Sequence, residues 1–321
     1  MTITPQETAA LHGALRAGNP ELYGSSYVAV ESVETAGSAV WWRLSGGLNL
    51  AALEAAWVEA GLDPELLPRA PSPQTALARA AKTQAGPRML VRSLDGGKGW
   101  AIVAEKAQGE DLDYAVEARL GLNAAGQLVV KPVDHKRADE LAASYRRHLT
   151  DLIQADVSPW LTKLMGTVHA VSLRDTGGVY FVPRTHLDMW RAMVAAIRKA
   201  SSHAVLGMPC MRTDEAIEAI TDAIAQEARA EAEALEEELA KAQSGDADAP
   251  KLGSRALEGR LTKADRVKAK VASYEALLGQ KLDALHERLD EVKAKLARAR
   301  LTVEAGNGTS LGQGRLEVDL G

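Results

Sequence analysis

TDEAIEAITDAIAQEARAEAEALEEELAKA, residues 213–242, repeats its apolar residues at helical spacing. Ile217, Ile220, Ile224, Ala228, Ala232, Leu235, Leu239 and Ala242 follow one another in steps of three and four. Such steps line up on one face of an α-helix and on no face of a strand. Thr213 stands before Asp214 and Glu215, an N-cap followed by carboxylates that favour the positive end of the helix dipole. A second stripe runs Val267, Val271, Tyr274, Leu278, Leu282, Leu285, Leu289, Val292, Leu296, again in threes and fours. Thr262-Lys263-Ala264-Asp265 has capping-box spacing and predicts that the second helix starts there. Between the stripes, Gln243–Leu261 carries Ser244-Gly245-Asp246, Pro250, Gly253 and Gly259, the composition of a loop. The pattern predicts a long antiparallel α-helical hairpin, a coiled coil, over residues 213–300. Consecutive steps of four near Ala228 and Leu278 are stutters that locally unwind a supercoil. Gly279 is a weak point beside the second.

Charge supports pairing of the two arms. The first is rich in Glu, including Glu227, Glu231, Glu236, Glu237 and Glu238. The second opens with Lys263, Arg266, Lys268 and Lys270 and ends with Lys293, Lys295, Arg298 and Arg300. An acidic helix beside one with basic ends fits the flanking positions of a coiled coil. The alternative is that each charge set only solvates an exposed face. Pairing would set Ile217–Leu239 against Val267–Leu289, with the tip around Gln243–Gly259 projecting.

The chain has 321 residues, enough for two domains or for one with an extension. Its 46% hydrophobic content is ordinary for a globular protein, and aromatic residues are sparse at 4%. A net charge of −5 and a pI near 5.9 argue against a surface that binds nucleic acid everywhere, while allowing a local basic stripe. The single cysteine, Cys210, excludes an intramolecular disulfide. The first residues lack the basic start and apolar run of a signal peptide, and no apolar run reaches membrane-spanning length. The expectation is a soluble, cytoplasmic protein without a membrane partner.

Upstream of the hairpin the chain alternates strands and helices through short turns. Residues 1–25 read as an N-terminal segment. Ser26–Val33 and Ser38–Leu44 read as a strand pair about a turn at Thr35-Ala36-Gly37. Leu50–Ala60 and the stretch from Ser72-Pro73 to Thr83 read as helices. Turns at residues 95–98, 123–126 and 175–178 each sit between strand-like runs and predict three hairpins, at Arg88–Glu105, Tyr114–Val133 and Val168–Val182. Lys136–Gln154, a short segment opened by Ser158-Pro159, and His186–Lys199 read as helices, and Ala204–Met211 as a strand. The fold class expected is therefore α+β: a hairpin-built head over residues 26–212 that folds by itself, the helical hairpin at 213–300, and a Gly-rich tail or edge strand at 301–321. Short turns in place of helical crossovers disfavour a Rossmann-type sheet.

The run Gly177-Gly178-Val179-Tyr180-Phe181-Val182-Pro183, followed by a helix and an acidic helical segment, resembles an uncharacterised family of proteins from bacteriophages and some bacteria. The resemblance implies a phage or prophage setting. It supplies no activity and no functional residue.

No catalytic constellation stands out. Cys210 lies in apolar Leu206–Met211 with no base in sequence, the setting of a small buried residue. His169, His186, His203 and Cys210 share one segment, but their spacing matches no usual zinc pattern. The Gly46-Gly47, Gly96-Gly97 and Gly177-Gly178 pairs are explained by turns, since none has both a following helix and the Lys-Ser/Thr pair of a phosphate loop. Adjacent Trp41 and Trp42 face opposite ways if on a strand, so one leaves the core face and is either covered by a helix or marks an interface. The candidate interaction surface is Trp41 and Trp42 with Lys263, Arg266, Lys268 and Lys270. The leading reading is a non-enzymatic scaffold or adaptor that binds protein or itself and needs no cofactor. The alternative is a nucleic-acid-binding accessory protein using the basic ends of the second helix.

Overall fold

The structure, a computed structural model, describes residues 35–86, 88–108, 111–175, 177–244 and 252–310. The expected strand Ser26–Val33 lies outside the described residues. The class is α+β, with two compact units interleaved along the chain. Among the described residues, one unit takes those up to Trp41, Val168–Leu187 and those from Gly207 to Ser310. The other takes Trp42–Thr167 and Asp188–Leu206. The units therefore do not follow the expected boundary at Arg212, because strands from the head group with the long helices.

The first unit joins a small sheet to three packed helices. Its strands are β1 (Thr35–Arg43), β8 (Val171–Ser172), β9 (Val179–Pro183) and β10 (Ala204–Met211), in the order β10-β1-β9-β8. The third expected hairpin is present as antiparallel β8 and β9. Thr35-Ala36-Gly37 is not the expected turn, since Gly37 pairs with Pro183 inside the antiparallel β1–β9 ladder. Glycine is needed there for close approach: a Cβ would sit 2.2 Å from the Val182 carbonyl oxygen and 2.6 Å from the Phe181 ring.

The helices are α6 (Asp214–Gln243), α7 (Ser254–Leu278) and α8 (Asp283–Ser310). Thr213 caps α6 as expected, its hydroxyl accepting from the Ala216 N–H at 3.3 Å. The second arm, expected as one helix, is two. Gly279 adopts φ +71°, a left-handed conformation that glycine reaches without a Cβ penalty, and its N–H bonds to the Glu275 carbonyl at 2.8 Å. The Glu275 carboxylate then takes the Leu282 N–H at 2.6 Å and meets His286 at 2.9 Å, closing the turn into α8. Helix α7 also starts eight residues before the expected capping box, after the Gly253 cap. Buried Leu257 and partly buried Leu261 extend its seam upstream, and the Thr262 hydroxyl bonds back to the Glu258 carbonyl. At the far end, Leu301–Ser310 continues α8 where a tail or edge strand was expected. Val303 packs on the core, and Glu304 bonds Arg300 and Ser254.

Ion pairs and a hydrogen bond fix the direction of each helix. Lys270 meets Glu227 and Arg260 meets Glu238, so α6 and α7 run antiparallel. Lys268 meets Asp290 and Ser254 meets Glu304, so α7 and α8 do too. The common core holds Ile224, Ala228 and Leu235 of α6, Val271 and Tyr274 of α7, and Leu289 and Leu296 of α8, with Phe181 from β9.

The second unit is built on a sheet of four antiparallel strands, β3 (Met89–Leu94), β4 (Gly99–Gln108), β5 (Asp111–Leu122) and β6 (Leu128–Lys131), in chain order. The two expected hairpins are its β3–β4 and β5–β6 pairs. Helices α2 (Pro73–Gln84) and α3 (Ala138–Thr150) cover one face, burying Leu77, Ala80, Ile102, Ala118, Leu120 and Leu141 together. The unit also contains α1 (Leu50–Glu59), the short pair β2 (Leu48–Asn49) and β7 (Asp151–Leu152), α4 (Gln154–Thr167) and α5 (Leu187–Ala200). Pro159 lies within α4, five residues after its first, and does not open it as expected. Trp57 and Trp160 meet with ring centroids 5.8 Å apart, each indole N–H satisfied by a carbonyl, of Asp63 and Leu66. Arg79 binds Asp156 through two bonds of 2.6 and 2.7 Å, tying α2 to α4.

Candidate interaction surface

The basic residues at the start of the second arm point back into their own bundle. The Lys270 ammonium, with 13% of its side chain exposed, is 2.5 Å from Glu227 and 2.7 Å from the Ala170 carbonyl oxygen. Lys268 holds both oxygens of Asp290 at 2.6 Å and keeps that carboxyl below its ordinary range. Lys263 pairs with Glu231. Arg266 is exposed on α7. Trp41 and Trp42 are each half-buried on β1, and Trp41 stands opposite Val179. The structure thus pairs Lys263, Lys268 and Lys270 each with its own carboxylate, Glu231, Asp290 and Glu227.

The histidines and the cysteine do different work. His169 and His186 meet in a tilted ring contact, 4.7 Å between centroids, and burial lowers the His169 pKa with help from the charges of His186 and Lys270. His203 is buried and accepts the Ser45 N–H on Nδ1 at 3.2 Å, and burial lowers its pKa. Burial pushes the Cys210 thiol up, away from the thiolate. Among the described residues no group of three or more His, Cys, Asp or Glu side chains is placed to hold a metal ion.

An uncovered apolar surface lies elsewhere, on β5. Leu112, Tyr114 and Val116 alternate along the strand and are 55%, 54% and 50% exposed. Two residues further on, Ala118 and Leu120 are buried. The ladder shows why. Val103 pairs with Val116 but Ile102 pairs with Ala118, so Glu117 is an extra residue, a β-bulge. Adjacent Ile102 and Val103 face opposite ways, and the pairing carries that reversal into β5. Before the bulge the apolar residues of β5 face outward; after it they face α2 and α3. Strand register builds the outer face in rows. Leu90, Val103 and Val116 form one row, and Arg88, Glu105 and Tyr114 the next. On the other side lies Arg92, Ala101, Arg119, Lys131, and beyond it Gly99, Gly121 and Val129, the last 36% exposed. The sequence reading missed this face, because Leu112 to Leu122 alternates without interruption. The signal present was its length: six apolar alternations exceed the depth that two helices cover.

A model of the family of unknown function DUF6744 matches residues 36–306. The chain belongs to this family. The DUF6744 match begins in β1 and ends in α8, so it takes in both the three-helix core and the bulged sheet. No curated protein and no solved structure matches the chain. Among the described residues no helix is long and apolar enough to cross a membrane.

Proposed function

We propose that the protein is a non-enzymatic scaffold or adaptor that binds another protein through the outer face of its four-stranded sheet. The observation that carries this reading is the exposed stripe Leu112, Tyr114, Val116. A contiguous apolar patch on an otherwise charged surface marks an interaction site more often than chance exposure does. The bulge at Glu117 supports it, since bulges re-aim side chains at functional positions. The resemblance at Gly177–Pro183 supports a phage or prophage setting for this role, with the host cytoplasm as the compartment proposed. The nucleic-acid reading is the weaker one, because three of the residues it was built on, Lys263, Lys268 and Lys270, are paired with carboxylates.

The test is site-specific crosslinking in cells that naturally produce the protein. A photoreactive phenylalanine analogue in place of Tyr114 is expected to capture a protein, and the same analogue in place of exposed Glu54 of α1 is not. Failure of the Tyr114 position to form any adduct would sink the reading.

A further inference from the structure

The row next to the apolar stripe carries three cations on one face. Arg92 and Arg119 flank Ala101, and Arg119 stands directly opposite Lys131. All three are exposed, and none has a carboxylate partner among the described residues. Like charges directly opposite each other on neighbouring strands destabilise a sheet. With Arg88 in the row of Tyr114, these rows hold four cations against one carboxylate, Glu105. This stands on a chain whose net charge is −5. Arg92, Arg119 and Lys131 lie between two apolar rows, one ending in Val116 and one in Val129.

We infer that this face docks an acidic amphipathic helix of a partner protein. The inference rests on the protein-binding reading above and specifies the partner. Neighbouring strands are about 4.8 Å apart, close to the 5.4 Å pitch of an α-helix. A helix crossing the strands at right angles sets one turn against each strand. Carboxylates one turn apart then meet Lys131 and Arg119, and a third about two turns further meets Arg92. Apolar residues on the adjoining stripe rest on Val116, Val103 and Leu90. Charge of this kind steers the encounter, and the apolar rows hold the complex. Single-stranded nucleic acid is the poorer fit, because its binders offer several aromatic platforms and the exposed stripe has only Tyr114.

The experiment uses the full chain and a fluorescent synthetic helix of about five turns with Leu on one stripe and Glu on the next. Anisotropy titrations compare it with the same peptide carrying Lys for Glu, with an uncharged Gln version, and with an oligothymidylate. The Glu peptide is expected to bind best, with an affinity that falls as salt rises. The double variant R119E/K131E is expected to weaken it about tenfold or more, equivalent to roughly 1.4 kcal/mol. If that variant melts early, R119Q/K131Q replaces it, with a smaller loss expected. V116D is expected to weaken the Glu and Gln peptides alike. Equal binding of Glu and Gln peptides, with no effect of R119E/K131E, would overturn the acidic partner and leave the protein-binding reading standing. Preference for oligothymidylate, or absence of all binding, overturns it too. So do a Tyr114 crosslink into the protein's own chain and a sedimenting dimer dispersed by V116D, which would name another occupant. Loss of the Tyr114 adduct altogether would remove both readings together.

Discussion

The Tyr274 hydroxyl donates a hydrogen bond of 2.8 Å to the carbonyl of His169, a residue held at φ +52°. The donor comes from the middle helix of the bundle and the acceptor from the approach to β8. Burial, with the nearby Glu227 charge, raises the Tyr274 pKa far above its ordinary value, so the phenol is a permanent donor. Non-glycine residues seldom occupy this backbone region. The hydrogen bond from Tyr274 and the tilted ring contact with His186 hold His169 there.

Three substitutions follow from that bond. Tyr274→Phe leaves a buried carbonyl without its donor and is expected to cost about 1–3 kcal/mol in urea unfolding. His169→Val places a β-branched residue at positive φ and should destabilise by at least as much, whereas His169→Asn should be milder. Equal stability of the Val and Asn variants would show that the backbone strain is not what matters.

Gly279 tests the break between α7 and α8. An Ala there adopts φ +71° at a steric cost, and its Cβ comes 3.2 Å from an Arg212 nitrogen that also bonds the Leu278 carbonyl. G279A is expected to destabilise by about 1 kcal/mol, read as a lower denaturant midpoint at constant slope. A continuous helix would instead be stabilised by about that amount, so the sign alone decides.

The shared core predicts a graded pair. Leu289→Ala empties a site with no solvent exposure and is expected to cost about 2–5 kcal/mol. Lys268→Ala removes an ion pair whose Asp290 partner is over half exposed and should cost less than about 1 kcal/mol. Thermal melts of the two variants beside the parent chain give the ranking.

Stability should also fall on mild acidification. Burial depresses the pKa of His203, and protonation at Nδ1 would break its bond to the Ser45 N–H. The unfolded chain therefore binds the proton first, so this contribution is complete above about pH 6.5 and is lost as pH falls below it. His148 and His169 are depressed in the same direction. The melting temperature is expected to drop between about pH 7.5 and pH 5.5. His203→Gln should show a smaller drop, and an unchanged pH dependence in that variant would remove His203 from the account.

Much of the architecture was legible in residue spacing. The three hairpins carried turn residues between strand-like runs, and α6 announced itself by its cap and its seam. What spacing could not show was where a seam changes partner. Leu278, Leu282 and Leu285 keep helical steps straight through Gly279, because a tight turn between antiparallel helices can preserve the periodicity while reversing the chain. Thr262–Asp265 had the form of a helix start, yet Leu257 and Leu261 had apolar neighbours to pack on and carried the helix further back. The candidate surface was hidden in the same way. One inserted residue, Glu117, turns a single stripe into two opposed ones, and insertion relative to a partner strand can be read only from the pairing.

The break at Gly279 also decides how the bundle would carry a load. In a two-helix hairpin the chain returns to the end where it entered, and a pull on its two ends peels the helices apart one turn at a time. Here α8 runs beside α6 in the same direction, so Thr213 and Ser310 lie at opposite ends of the bundle. Tension between them slides whole helices past one another, loading buried Val271, Tyr274 and Leu289 and the ion pairs along their length all at once. A helical element wired this way resists as a strut and does not open as a zipper.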